Sequence, residues 1–155
     1  DLFLLDIKHI DPVKHKDLTQ WDNSNILDMA KYLSDNGKKM WIRNVLVPGY
    51  TDGEEDLQKL SDFISSLKTI DRVEVLPYHT LGVFKWKELG IDYTLEGVSP
   101  PDGELIKKAN DILCRIYWRG RCCHCICRYS NKLFSNIKER SHKYNACCNN
   151  LIVTS

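Results

Sequence analysis

The chain has 155 residues, 43% of them hydrophobic and 28% charged, with a formal net charge of +1. No apolar run approaches the roughly 20 residues that a membrane-spanning helix needs, so no helical membrane span is expected within these residues. The neutral total hides a division: residues 1–114 hold 14 Lys/Arg against 20 Asp/Glu, net −6, while residues 115–155 hold 8 against 1, net +7. All seven cysteines lie at or after Cys114. The two parts are therefore read separately. A Cys-free first part fits a reducing, cytoplasmic setting, as would any Cys-poor segment.

The first predicted element is a strand over "LFLLDIK" (2–8), apolar almost throughout, as a strand covered on both faces should be. A chain that opens inside a strand reads as a piece of something longer. "SNILDMAKYLSDNGKK" predicts a helix with Ser24 as N-cap, Ile26, Leu27, Ala30 and Leu33 at helical spacing, and Gly37 as the stop. "KMWIRNVLVP" (39–48) is a second strand, rich in aromatic and β-branched residues and closed by Pro48-Gly49. "TDGEEDLQKLSDFISSLKTI" places acids in the first turn of a helix and Leu57, Leu60, Phe63, Ile64 and Leu67 on one stripe. "RVEVLPY" (72–78) is a third strand, followed by a long loop through "HTLGVFKW" and a last helix that starts near Pro101. Strands alternating with helices predict an α/β fold with a parallel sheet. In such folds functional side chains gather at the C-terminal ends of the strands.

Three strands carry ionisable groups inside apolar runs. Side chains two apart on a strand share a face, so Asp6 and Lys8 point one way with Leu4, while Phe3, Leu5 and Ile7 point the other. An acid and a base there are costly unless paired or bound to a ligand. A structural ion pair at a strand end satisfies the same spacing. Arg43 shares a face with Trp41 and Val45 and wants a carboxylate or phosphate; a salt bridge to Asp6 on the neighbouring strand would also satisfy it. His79 closes the third strand, where a lone histidine is more often a satisfied structural residue than a ligand. Taken together, Asp6, Lys8, Arg43 and His79 could converge on one small molecule bearing a carboxylate, an amine and hydroxyls.

The stretches "LLDIKHID", "WIRNVLVPGYTD" and "LPYHTLGVFKWKELGIDYTLEGVSPP" resemble the C-terminal half of the pyruvate formate-lyase activating enzymes, a radical S-adenosylmethionine (SAM) family, over residues 1–113. The resemblance implies the C-terminal half of a partial (β/α)6 barrel, followed here by an irregular Cys-rich tail at 114–155. It implies a [4Fe-4S] cluster and SAM as cofactors, pyruvate formate-lyase as the partner whose backbone glycine receives a radical, and flavodoxin or ferredoxin as electron donor. It implies no membrane and no specific nucleic acid as partners, and a cytoplasmic location.

Carried over by motif, the same resemblance places Asp6 and Lys8 on SAM contacts and gives Asp6 a further role as ligand to a cation near SAM. Arg43 falls near SAM and the glycine loop, Val45 and Leu76 beside the adenine, and His79 beside the ribose and the substrate peptide. The CxxxCxxC loop that holds the family's cluster is missing, as is its Gly-Gly-Glu-type segment, so the chain by itself is expected to be inactive. Half a barrel would also leave open edges and exposed apolar faces.

The tail "CRIYWRGRCCHCICRYSNKLF" contains a CxxC at Cys122 and Cys125, but the later pair, Cys147-Cys148, is adjacent and chelates poorly. Cys123 and Cys127 give CxxxC, yet the third family position is Ser130. Out-of-frame translation explains the abrupt change of composition better than an appended module. Two rival readings stand beside the family one. One is a non-enzymatic Cys-rich metal- or nucleic-acid-binding protein on an α/β scaffold. The other is a generic β/α-barrel enzyme using Lys8 or His79 in acid–base chemistry.

Overall fold

The computed structural model describes residues 1–114; the readings made above for the remaining tail lie outside the described residues. Eight elements follow one another: β1 (Leu2–Asp6), α1 (Pro12–Thr19), α2 (Ser24–Asp35), β2 (Lys39–Leu46), α3 (Glu54–Ser66), β3 (Ile70–Pro77), α4 (Val83–Glu88) and α5 (Gly103–Cys114). The strands form one parallel sheet in the order β1-β2-β3, so the predicted α/β class with a parallel sheet is borne out.

Period-2 alternation decides what each sheet face does. Along β2, Met40, Ile42, Asn44 and Leu46 are buried, while Trp41, Arg43 and Val45 between them are half-buried. The first set joins Leu5, Ile7 and Val73 in a core with Ala30 and Leu33 of α2, Leu57, Leu60 and Ile64 of α3, and Ala109, Ile112 and Leu113 of α5. No helix layer covers the opposite face among the described residues. Leu2 and Leu4 accordingly remain 46% and 50% exposed, which corrects the expectation that "LFLLDIK" is covered on both faces. The strand also stops at Asp6, leaving Lys8 in the turn that follows.

The helix signals were mostly sound. Gly37 takes φ +67°, its N–H reaches Ser34 O at 3.2 Å, and Lys38 N–H reaches Leu33 O at 2.9 Å; this is the Schellman closure that a Gly stop signal anticipates. Ser24 is not the N-cap. It is the first residue of α2, Asn23 is the cap, and the Asp22 carboxylate accepts from the Ser24 N–H and hydroxyl. Asn23 makes no capping bond because its amide is spent elsewhere, donating to His9 O and Ile10 O.

Two helices lie where none was expected. α1 has no apolar stripe, but Asp11 accepts from Val13 N–H and Lys14 N–H and Pro12 occupies the first turn, which together start a helix. α4 is six residues within the stretch read as loop and buries none of them.

Candidate functional site at the strand ends

Parallel register stacks the open-face residues in rows across the sheet. Leu4, Trp41 and Arg72 form one row, and Asp6, Arg43 and Glu74 the next. Val45 and Leu76 pair in a third, nearer the C-terminal ends. The Arg72 guanidinium lies 4.1 Å from the Trp41 ring centroid, at cation–π distance, and pairs with Glu74 at 3.0 Å.

The middle row is the polar centre. Arg43 Nε donates to Asp6 Oδ1 at 2.6 Å, and Lys8 Nζ donates to Asp6 Oδ2 at 2.8 Å. One carboxylate thus bridges two cations, the arrangement that makes ionised groups tolerable within apolar strands. Burial pushes the Asp6 carboxyl up, but the hydrogen bonds and charges of Lys8 and Arg43 outweigh it and hold its pKa below the ordinary 3.8. All three side chains remain about a third exposed, so the pairs stabilise the fold by about 0–1 kcal/mol.

The structure therefore brings Asp6, Lys8 and Arg43 together, with Val45 and Leu76 paired one row beyond. His79, two residues past β3, is exposed and makes no hydrogen bond or ion pair with the described residues. Each Asp6 oxygen accepts one side-chain hydrogen bond, from Arg43 at Oδ1 and from Lys8 at Oδ2, which leaves a further lone pair on each. Glu74 and Arg72 were missed from the sequence. Their signal is two opposite charges at i and i+2 in "RVEVLPY", the same pattern that singled out Asp6 and Lys8.

Beyond the sheet, Tyr78 is buried and its hydroxyl lies 2.7 Å from that of Tyr93. Tyr93 also packs against Trp86, with ring centroids 5.5 Å apart. This ties the segment after α4 back to the end of β3. Burial, then the Tyr78 bond, pushes the Tyr93 phenol up to about 12. Chemically, the strand ends offer an anion flanked by two cations beside an apolar row.

Solved structures share this fold. A domain of pyruvate-formate lyase-activating enzyme from Bacteroides vulgatus superposes with a TM-score of 0.60 at 22% identity, covering 74% of this chain and 62% of that one. A radical SAM methyltransferase from Sphaerobacter thermophilus gives 0.55 at 14% identity, covering 73% and 30%.

Sequence narrows the class. The chain is 55% identical over 113 residues to the pyruvate formate-lyase-activating enzyme of Streptococcus mutans, covering 73% of this chain and 43% of that protein. Against the enzyme of Listeria monocytogenes the figures are 54%, 73% and 46%, and against that of Staphylococcus epidermidis 58% over 109 residues, 70% and 43%. No family model matches. The chain spans less than half the length of these curated relatives, and it is homologous to the C-terminal part of the pyruvate formate-lyase-activating enzymes. The resemblance read from "LPYHTLGVFKWKELGIDYTLEGVSPP" is borne out.

Proposed function

We propose that residues 1–113 supply the SAM-facing C-terminal part of an enzyme that installs a glycyl radical on pyruvate formate-lyase, in the cytoplasm and with flavodoxin or ferredoxin as reductant. The observation that carries this reading is the Asp6 carboxylate held between Lys8 and Arg43 at the C-terminal strand ends, in a chain 54–58% identical to enzymes of that name.

The residues present fit SAM. Asp6 would accept hydrogen bonds from its ammonium group, and Lys8 and Arg43 would balance its carboxylate. Val45 and Leu76 offer an apolar row for the adenine. His79, exposed at the rim, would meet the ribose and the incoming glycine segment, with Arg43 beside it. Bound SAM supplies the one-electron hydrogen-abstraction chemistry that the activation needs. The residues present do not fit an iron–sulfur cluster: residues 1–113 contain no cysteine, and no group of three metal-ligating side chains occurs among the described residues. The tail's cysteines do not restore the family's CxxxCxxC spacing, since Ser130 stands at the third position after Cys123 and Cys127, so the 155-residue chain alone is expected not to cleave SAM.

The division at residue 113 belongs to the same proposal. The matched length is 113 residues, and the basic Cys-rich remainder is read as out-of-frame sequence. If neither of the other two frames of the nucleotide sequence encodes an amphipathic helical ending, that part of the reading is wrong.

A chimera tests the function. Residues 1–113 replace the matching C-terminal part of the Streptococcus mutans enzyme, and the glycyl radical formed on pyruvate formate-lyase is counted by electron paramagnetic resonance. The parent chimera is expected to be active, and Arg43→Ala to lower the yield at least roughly tenfold, the loss expected when a charge-assisted ligand contact is removed. A chimera that folds, loads its cluster and yet gives no radical would sink the proposal.

A further inference from the structure

On the helix-covered side of the sheet, directly behind the Asp6–Arg43 row, sits a polar node that the proposed function does not use. His9 is 3% exposed, Asn44 2% and Asp56 7%, and with Thr51, Leu57 and Leu60 they line a small cavity with room for about one water molecule. Two of its polar atoms, His9 Nε2 and Asn44 Oδ1, have no hydrogen-bond partner in the protein. Leaving a buried polar atom unpaired costs about 1–3 kcal/mol, so two in one cavity call for a common partner.

The surrounding bonds fix the polarity of each atom. The Asp11 N–H donates to His9 Nδ1 at 3.0 Å, so Nδ1 is an acceptor and the neutral ring carries its proton on Nε2. Asn44 Nδ2 donates to Ile7 O at 2.9 Å, which leaves Oδ1 as an acceptor facing inward. Asp56 Oδ2 accepts from Lys14 Nζ at 2.6 Å, and His9 Nε2 lies 3.6 Å from that same oxygen, too far for a hydrogen bond. Thr51 is already paired, donating to Val45 O at 2.6 Å and accepting from Val47 N–H at 2.7 Å. The cavity therefore presents one donor and two acceptors.

We propose that this cavity is a binding site for one internal water molecule, which accepts from His9 Nε2–H and donates to Asn44 Oδ1 and Asp56 Oδ2. The count closes: two water protons meet two acceptors, and one water lone pair meets one donor. A metal ion does not fit, because no three-ligand set is present among the described residues and the Lys14 ammonium, 2.6 Å from Asp56 Oδ2, would repel a second cation there. The water joins three elements, namely the turn after β1, the end of β2 and the first turn of α3. The turn after β1 is also clamped by Asn44 on Ile7 O and by Asn23 on His9 O and Ile10 O, so two buried polar side chains hold the backbone from which Asp6 and Lys8 project on the other side.

The charged groups around His9 are Asp56 from α3, Lys14 from α1 and Asp11 from its own turn. Burial, reinforced by the Lys14 ammonium, outweighs Asp56 and Asp11 and lowers the pKa of His9 below 6.5, which keeps the ring neutral and its Nε2 proton available to the water. None of these atoms lies on the open face, so the site stands or falls independently of SAM binding.

Nuclear magnetic resonance of the ¹⁵N-labelled 155-residue chain tests it. His9 is expected as the neutral Nε2–H tautomer at pH 7, titrating below 6.5, with its Nε2 proton showing cross-relaxation to a long-lived water. His9→Gln, which keeps a donor near the Nε2 position, should retain the water as seen at the Asn44 side chain, and His9→Phe should lose it. An Nδ1–H tautomer, a titration at 6.5 or above, an Nε2 proton without water contact, or a water that persists unchanged in His9→Phe would each overturn the assignment. If His9→Phe fails to fold, the tautomer and the water contact in the parent chain decide alone.

Discussion

Ile42 and Arg43 are neighbours on one strand and lie in different environments. Ile42 is fully buried among Leu57, Leu60 and Ile64, while Arg43 stands half-exposed with its guanidinium on Asp6. The same contrast runs along β1, where Leu5 and Ile7 are buried and Leu4 and Asp6 are not. One face of the sheet is the fold's cohesion, and the other carries its polar chemistry. A strand of period 2 lets a five- to eight-residue segment serve both ends with no compromise at any position.

The largest effect expected from this contrast is at Ile42. Ile42→Ala removes three carbons from a fully buried site and should destabilise the chain by about 3–4 kcal/mol in urea unfolding. Leu4→Ala on the open face should cost within about 0.5 kcal/mol. If Leu4→Ala proves as costly as Ile42→Ala, the open face is covered in solution, and the distinction between the two faces fails.

How much of this was legible depends on what each signal reports. Asp6, Lys8 and Arg43 stood out because ionisable groups are rare in apolar strands, and the structure joins them. Leu2 and Leu4 misled, because an apolar run reads the same whether or not its second covering layer lies within the described residues. α1 was invisible to periodicity and visible only in its Asp11-Pro12 start. His9, Asn23 and Asn44 gave no sequence signal. Their burial depends on backbone carbonyls brought near by tertiary packing, which no local pattern encodes. His79 was legible as a strand-end residue, and no hydrogen bond or ion pair holds it among the described residues.

A smaller effect should separate the node on the covered face from the pairs on the open one. Asp56 is buried and accepts from Lys14, with Lys59 at 3.7 Å. Burial raises its pKa, but the Lys14 bond and the nearby positive charges outweigh it and leave the folded value below 3.8. A depressed carboxylate contributes stability that is complete above 3.8 and is lost as pH falls through the lower folded value. Asp56→Asn should therefore cost about 1.5–3 kcal/mol at neutral pH, the worth of a charged hydrogen bond, and the gap from the parent should close below pH 3.8. His9, also depressed, begins its own loss as pH falls below 6.5, so the acid limb should show two steps. A single step, or a gap that does not close, would mean that Asp56 is not held by charge.

The smallest effect concerns the strap beyond the sheet. Tyr93→Phe deletes the 2.7 Å bond to the buried Tyr78 hydroxyl but keeps the packing on Trp86, so global stability should fall by only about 0.5–1.5 kcal/mol. The consequence should be local. Residues 79–98 include exposed Leu81, Phe84, Leu89 and Ile91 and contribute no residue to the buried core, so their order depends on a few such tethers. Limited proteolysis should cut this segment faster in Tyr93→Phe than in the parent, and the phenolate absorbance step near pH 12 should disappear. Unchanged cleavage would assign the tether to the Trp86 stacking alone.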